Sequence, residues 1–152
     1  MPITVENASI SHLERLYEIE RECFEEEAFT KQQIAQLLRD SNSIGLVAKE
    51  DGNIIGFIIG ALSRDNELLI GHILTIDVSL SHRRRGIGLR LLQEMEKIFK
   101  EKGAKICRLE AREDNVAALN LYRKLGYKKV RVLRHYYGKC SWNSSGKDFA
   151  IN

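Results

Sequence analysis

A β-rich run ending in Ile76-Asp77-Val78 is followed, after a short loop, by Arg83-Arg84-Arg85-Gly86-Ile87-Gly88 at the start of a helical stretch. A strand that runs into a glycine-bearing basic loop at a helix N-terminus makes a cradle for phosphate. The first-turn amides of the helix have no intrahelical acceptor, and the helix dipole adds partial positive charge there. Gly86 and Gly88 let a bulky diphosphate come close to the main chain, because neither carries a Cβ. Arg83, Arg84 and Arg85 supply countercharge. The spacing is R-x-x-G-x-G, which differs both from the dinucleotide pattern G-x-G-x-x-G and from the P-loop. Taken alone, it equally describes a solvated basic helix start.

The elements that must hold this loop can be read on either side of it. Ile3-Thr4-Val5 is a short strand, and Ser11-His12-Leu13-Glu14 has the form of a capping box ahead of a helix. Thr30-Lys31-Gln32-Gln33 is a second such box, with the acidic loop Glu25-Glu26-Glu27 between the two helices. Ile44–Lys49 and Ile54–Leu62 read as strands joined by the hairpin signal Asp51-Gly52, and Leu68–Val78 as a third. A helix is expected from Ile87 to Lys102, with Leu91, Leu92, Met95, Ile98 and Phe99 on its apolar stripe, ended by Gly103. Ile106–Arg112 is a strand. Asn115–Leu125 is a helix with Asn115 as its cap, and Tyr127–Tyr137 returns to strand. The polar stretch 138–147 reads as a loop. The order β-α-α-β-β-β-α-β-α-β describes an α/β (α+β mixed-sheet) protein, a largely antiparallel sheet with about four helices around it.

Composition narrows the possibilities further. At 152 residues and 43% hydrophobic, the chain suits a single domain spanning 1–152. No uncharged apolar run is long enough to span a bilayer, so no membrane partner is expected. Three scattered cysteines, Cys23, Cys107 and Cys140, form no C-x-x-C, and no metal site is expected; a reducing cytoplasm fits them best. Charge is divided unevenly: residues 1–60 carry 5 basic and 11 acidic side chains, whereas residues 61–152 carry 19 and 10. The basic half also admits a nucleic-acid-binding reading. That reading expects aromatics interleaved with the basic residues, and here they lie elsewhere, so nucleic acid is an unlikely partner.

A second block, Leu109-Glu110-Ala111-Arg112-Glu113-Asp114-Asn115, continuing through Ala118 to Leu121-Tyr122 and Gly126-Tyr127, makes the pattern specific. With the R-x-x-G-x-G loop, it resembles the GNAT acetyltransferase superfamily. The nearest likeness within it is to the protein N-terminal acetyltransferases of the bacterial ribosomal-protein alanine type and the archaeal and eukaryotic Ard type. Gly71-His72-Ile73-Leu74-Thr75-Ile76-Asp77-Val78 resembles their central strand, and Arg134-His135-Tyr136-Tyr137 the end of a late one. Two positions depart from the pattern. Asp77 stands where the family usually has alanine, and Phe24-Glu25-Glu26 where many members read Leu-Pro-Glu.

The resemblance implies direct transfer of acetyl from acetyl-CoA, with coenzyme A as product, to the α-amino group of protein or peptide N-termini. A small-molecule amine or protein lysine is the alternative acceptor, and an inactive acyl-CoA sensor a more distant one. It implies a cofactor site of Ile76, Asp77, Val78, Arg83, Arg84, Arg85, Gly86, Ile87, Gly88, Asn115 and Tyr122. Asn115 and Tyr122 are seven residues apart, two helical turns, and so share a face. Tyr122 is the implied acid for the leaving thiolate; otherwise it is a core aromatic. Glu110 is the first candidate base, by likeness and because Ile106, Arg108, Glu110 and Arg112 alternate along one strand face. Its plainer reading is an ion pair with a neighbouring arginine. His72, in a water-holding position, and Glu26 are the other candidate bases. Phe24, Glu26, Tyr136 and Tyr137 are the implied substrate-binding residues. Self-association through the end of the chain is possible.

Overall fold

The computed structural model describes residues 2–25, 28–111, 116–132 and 147–151. The elements are β1 (Ile3–Asn7), α1 (Leu13–Phe24), α2 (Lys31–Arg39), β2 (Ser43–Glu50), β3 (Asn53–Asp65), β4 (Leu68–Val78), α3 (Ile87–Glu101), β5 (Ile106–Ala111), α4 (Val116–Lys124), β6 (Lys128–Val132) and β7 (Lys147–Ile151). One sheet runs in the order β1-β2-β3-β4-β5-β7-β6. The pairs from β1 to β4 are antiparallel, and β4·β5, β5·β7 and β6·β7 are parallel. The antiparallel character read from the sequence therefore belongs to the first four strands. The pattern also extends by one strand, β7, which slots between β5 and β6 and uses Asp148-Phe149-Ala150.

Local signals explain most of the boundaries. Asp51 (φ 51°) and Gly52 (φ 80°) both take left-handed conformations, the backbone of a two-residue hairpin turn that matches strand twist. Thr30 caps α2 as a true box: Gln33 N–H donates to Thr30 Oγ1 at 3.1 Å, and Thr30 N–H donates to Gln33 Oε1 at 2.8 Å. The entry to α1 differs from the Ser11 cap expected. A turn of 3₁₀ helix over Ile10–His12 comes first, capped by Ser9, whose N–H donates to His12 Nδ1 at 3.1 Å. An imidazole nitrogen here does the work that glutamate does in a standard box, so the sequence pattern S-x-x-E missed it.

The sheet is covered on both sides. Leu16, Ile19 and Ile34 of α1 and α2 pack on Val47, Phe57 and Ile59 on one face. Ile87, Leu91, Leu92, Met95 and Phe99 of α3 pack on Leu46, Ile55, Ile58 and Ile73 on the other, with Tyr122 of α4 in the same cluster. The Phe99 ring sits in a slot left by two glycines of adjacent strands. A Cβ on Gly71 would come to 2.3 Å of it and one on Gly60 to 2.6 Å. Overpacking of a close-packed core costs roughly 1–3 kcal/mol. Gly71→Ala is expected to lower stability in urea denaturation by about that amount, and Phe99→Leu in the same chain to recover part of it. An unchanged midpoint for Gly71→Ala would show that the slot is not tight.

Candidate active site

β4 passes from one environment to another along its length. Its register with β3 pairs Gly60 with Ile73 but Ile59 with Thr75, so Leu74 is an extra residue, a β-bulge. The bulge resets which face each later side chain takes. Ile76 and Val78 join the α3 side, and Thr75 and Asp77 turn to α1. Pairing with β5 covers only Ile70–Ile73 against Ile106–Leu109. Beyond the bulge, β4 and β5 no longer pair, so the stretch Leu74–Val78, with the expected cofactor residues Ile76, Asp77 and Val78, borders a gap in the sheet.

On the α3 face, the basic loop leads from β4 into α3. Gly86 is the N-cap residue with φ 77°, its side-chain direction is open space, and no side chain caps the helix. Arg84, at φ 65°, is also left-handed, a conformation that costs a non-glycine residue roughly 1–2 kcal/mol. Left-handed residues in such a loop help to point backbone N–H groups into an anion-binding concavity. The first-turn amides, with no side-chain cap among the described residues and beside a glycine whose Cβ would meet nothing, fit a diphosphate. Gly88 packs near Val78 and Leu121, where a Cβ would make ordinary contact at 3.7 Å.

The three arginines divide their work. Arg85 pairs with Glu50 at the end of β2. Arg83 turns back: its Nε donates to the Val78 carbonyl at 3.3 Å and its Nη2 to Cys23 Sγ at 3.4 Å. The loop is further tied to α1 by Glu22, which accepts from Leu80 N–H at 2.9 Å. Much of what positions the cradle is thus main chain held by α1, and the sequence motif contains no sign of α1's part.

Tyr122 lies in the α3-side cluster, buried, and its ring packs obliquely on Tyr127 with centroids 6.1 Å apart. Burial, and secondarily the charge of Asp77, push its phenol up to about 12. On the opposite face, Ser63 Oγ and His72 Nε2 are 2.9 Å apart. Burial and then the neighbouring Arg108 lower the His72 pKa, so the ring is neutral at pH 7. Arg108 is the register partner of His72 on β5, and Glu110 comes two residues later on that strand. Phe24 is the last residue of α1, beside Cys23, whose Sγ donates to the Val78 carbonyl at 3.4 Å. The Glu110 side chain and residues Glu26, Asn115, Tyr136 and Tyr137 lie outside the described residues.

Sequence reading missed a buried acid cluster. Thr75 Oγ1 is 2.9 Å from Glu20 Oε1 and 2.6 Å from Asp77 Oδ1. Glu20 is 2% exposed and Asp77 1%. The Thr75 hydroxyl has a single proton to offer these two carboxyl oxygens. Burial first, and the adjacent Glu20 carboxyl second, raise the Asp77 pKa well above the usual carboxylate range. Glu20 Oε2 also accepts from Phe29 N–H at 3.0 Å, so the cluster anchors the return of the α1–α2 loop. The departure of Asp77 from the family's alanine was visible in the sequence; its partner, 57 positions earlier, was not.

A carboxyl whose folded pKa lies above its unfolded value destabilises the fold as it ionises. The cost begins near the ordinary aspartate pKa of ~3.9 and grows until pH passes the raised value. Asp77→Asn keeps the shape and removes that titration. Its melting temperature is expected to fall less than that of the parent as pH rises from 5 to 9. Parallel curves over that interval would refute the buried ionisation.

Residues 13–127 match the acetyltransferase (GNAT) family. The chain is 34% identical over 142 residues to a protein named N-alpha-acetyltransferase from Sulfurisphaera tokodaii, covering 88% of this chain and 84% of that one. The PaiA N-acetyltransferase of Thermoplasma acidophilum, solved with coenzyme A, superposes with a TM-score of 0.75 at 27% identity, covering 84% of this chain and 91% of that one. An aminoglycoside acetyltransferase from an uncultured soil metagenomic sample shares the fold, with a TM-score of 0.76 at 22% identity over 91% of this chain and 97% of that one. The chain belongs to the GNAT family and is an acetyl-CoA-dependent N-acetyltransferase.

Proposed function

We propose that this protein acetylates the α-amino group of protein or peptide N-termini, as a single domain working in the cytoplasm. One observation carries the reading: a gap between β4 and β5 with an amide cradle and a protonated phenol on one face, and His72 and Asp77 on the other. Acetyl-CoA supplies a thioester carbonyl and a thiolate leaving group. The main chain from Arg84 to Gly88 binds its diphosphate, and Asn115 holds the pantetheine arm. Tyr122, protonated throughout the working range because its pKa is about 12, gives its proton to the departing sulfur.

The acceptor enters on the α1 face, where Phe24 ends α1, and the likeness to the family gives Glu26, Tyr136 and Tyr137 the binding of its peptide. An α-amino group, with a pKa near ~8, needs far less help to lose a proton than lysine, near ~10.4. Glu110, His72 and Glu26 are the candidate groups to provide it. The 34% identity to a protein named N-alpha-acetyltransferase supports this acceptor over a small-molecule amine.

The test is incubation with acetyl-CoA and peptides beginning with Ser, Ala or Met and carrying one internal lysine, alongside an aminoglycoside. Mass spectrometry is expected to place the label on the peptide N-terminus. Label on lysine Nε alone, or on the aminoglycoside alone, would remove this substrate. In the same assay, Tyr122→Phe is expected to lower kcat by about 100-fold, the ordinary scale for loss of a general acid. Its coenzyme A affinity in calorimetry should stay within a few-fold of the parent's; undiminished turnover would dismiss Tyr122 as the acid.

A further inference from the structure

The acid cluster of Glu20, Thr75 and Asp77 is more than a loop anchor. Asp77 Oδ1 is occupied by Thr75, but Asp77 Oδ2 is fully buried and meets no donor among the described residues. Uncompensated polar atoms in a protein interior cost roughly 1–3 kcal/mol and call for a partner. The atom belongs to the part of β4 that has left β5, on the α1 face, one helical turn from the Cys23-Phe24 end of α1. That is the face and the end of the sheet assigned above to the acceptor amine.

We propose that Asp77, backed by Glu20 through Thr75, is a proton-accepting group for the acceptor amine, receiving its proton at Oδ2 through a bridging water. This rests on the acetyl-transfer reading and assigns a residue that the family pattern leaves as alanine. The proton count closes. An ammonium nitrogen sheds two protons in becoming an amide. The first, which frees the lone pair, goes to the carboxyl pair and then to solvent. The second leaves after the C–N bond has formed and the C–S bond has broken, and balances the proton that Tyr122 gives to sulfur.

The groups facing Asp77 fit this role. Burial first, and Glu20 of α1 after it, raise the affinity of Asp77 for a proton. Thr75 of β4 and Arg83 of the following loop act in the opposite direction, more weakly. Cys23 of α1 and Tyr122 of α4 both feel the Asp77 charge as a rise in their own pKa. When Asp77 takes up the amine's proton, that charge vanishes and the Tyr122 phenol becomes more acidic. The phenol is thus readied to donate by the event that readies the amine to attack.

The experiment is kcat/KM against pH for the parent, Asp77→Asn and Glu20→Gln, with a Ser-starting peptide. Asp77→Asn is expected to lose about 10–100-fold at pH 7 and to come within 3-fold of the parent at pH 9.5, where an α-amine of pKa ~8 is already neutral. Glu20→Gln is expected to move the acidic limb of the profile to lower pH, since it relieves the carboxyl pair. In ¹³Cζ-tyrosine NMR, the Tyr122 resonance should titrate at lower pH in Asp77→Asn than in the parent. A loss equal at both pH values, no loss at pH 7, or an unmoved Tyr122 titration would overturn the proposal. If the parent leaves peptide N-termini unlabelled, the substrate reading fails by itself. The same pH comparison on whichever amine it does acetylate still decides the role of Asp77.

Discussion

The structure depends on where β4 stops pairing with β5. Four residues of each strand are joined in parallel, and then the bulge at Leu74 turns β4 away. A sheet normally separates its two faces completely, because the hydrogen-bonded ladder leaves no passage. Here the separation ends at the bulge, and a group on the α3 side can meet a group on the α1 side within one sheet thickness. The cradle amides, Tyr122 and the helix dipole of α3 belong to one face; the buried carboxyl pair and His72 belong to the other. Acyl transfer between two large molecules needs such an opening, since each must bring a bulky remainder that has to stay on its own side.

The cost of the arrangement shows in how the opening is held. Main chain that leaves a ladder needs other partners, and α1 provides them. Glu22 accepts from the loop amide of Leu80, Cys23 donates to the Val78 carbonyl, and Glu20 holds Thr75 and the Phe29 amide. Three polar residues within a single turn of one helix thus fix the end of β4, the basic loop after it and the return of the α1–α2 loop. The acidic first third of the chain finds much of its purpose here. Four of its other carboxylates form ion pairs, Glu50 with Arg85, Glu6 with Lys49, Glu14 with Lys31 and Glu18 with Arg15.

How far this was legible in the sequence follows from the range of the interactions. Hairpin turns, the Thr30 box and the stripe of α3 are set by neighbours within a few positions, and the bounds of β4, Leu68–Val78, were read to the residue. The basic glycine loop ahead of α3 was legible for the same reason, since its left-handed Gly86 and the helix start are set by consecutive residues. The bulge at Leu74 was not, because nothing in Ile73-Leu74-Thr75 distinguishes an extra residue from a paired one without the β3 register. The Ser9 cap was hidden by a histidine in a glutamate's place. The insertion of β7 between β5 and β6 depends on pairing across the whole second half of the chain, and strand order is not encoded locally.

The buried carboxyl pair is the clearest case of chemistry written in two distant places. Glu20 reads as one more acidic residue on an amphipathic helix, and Asp77 as an awkward substitution in an apolar strand. Each is unfavourable alone: a lone buried carboxylate pays its desolvation with nothing in return. Together, with the Thr75 hydroxyl between them, they form one hydrogen-bonded unit. Burial first, and the adjacent Glu20 carboxyl second, raise the Asp77 pKa above its value in water. An enzyme that must draw a proton from an amine near pH 7 needs a group tuned in that direction, and an alanine at position 77 would leave the work to other residues.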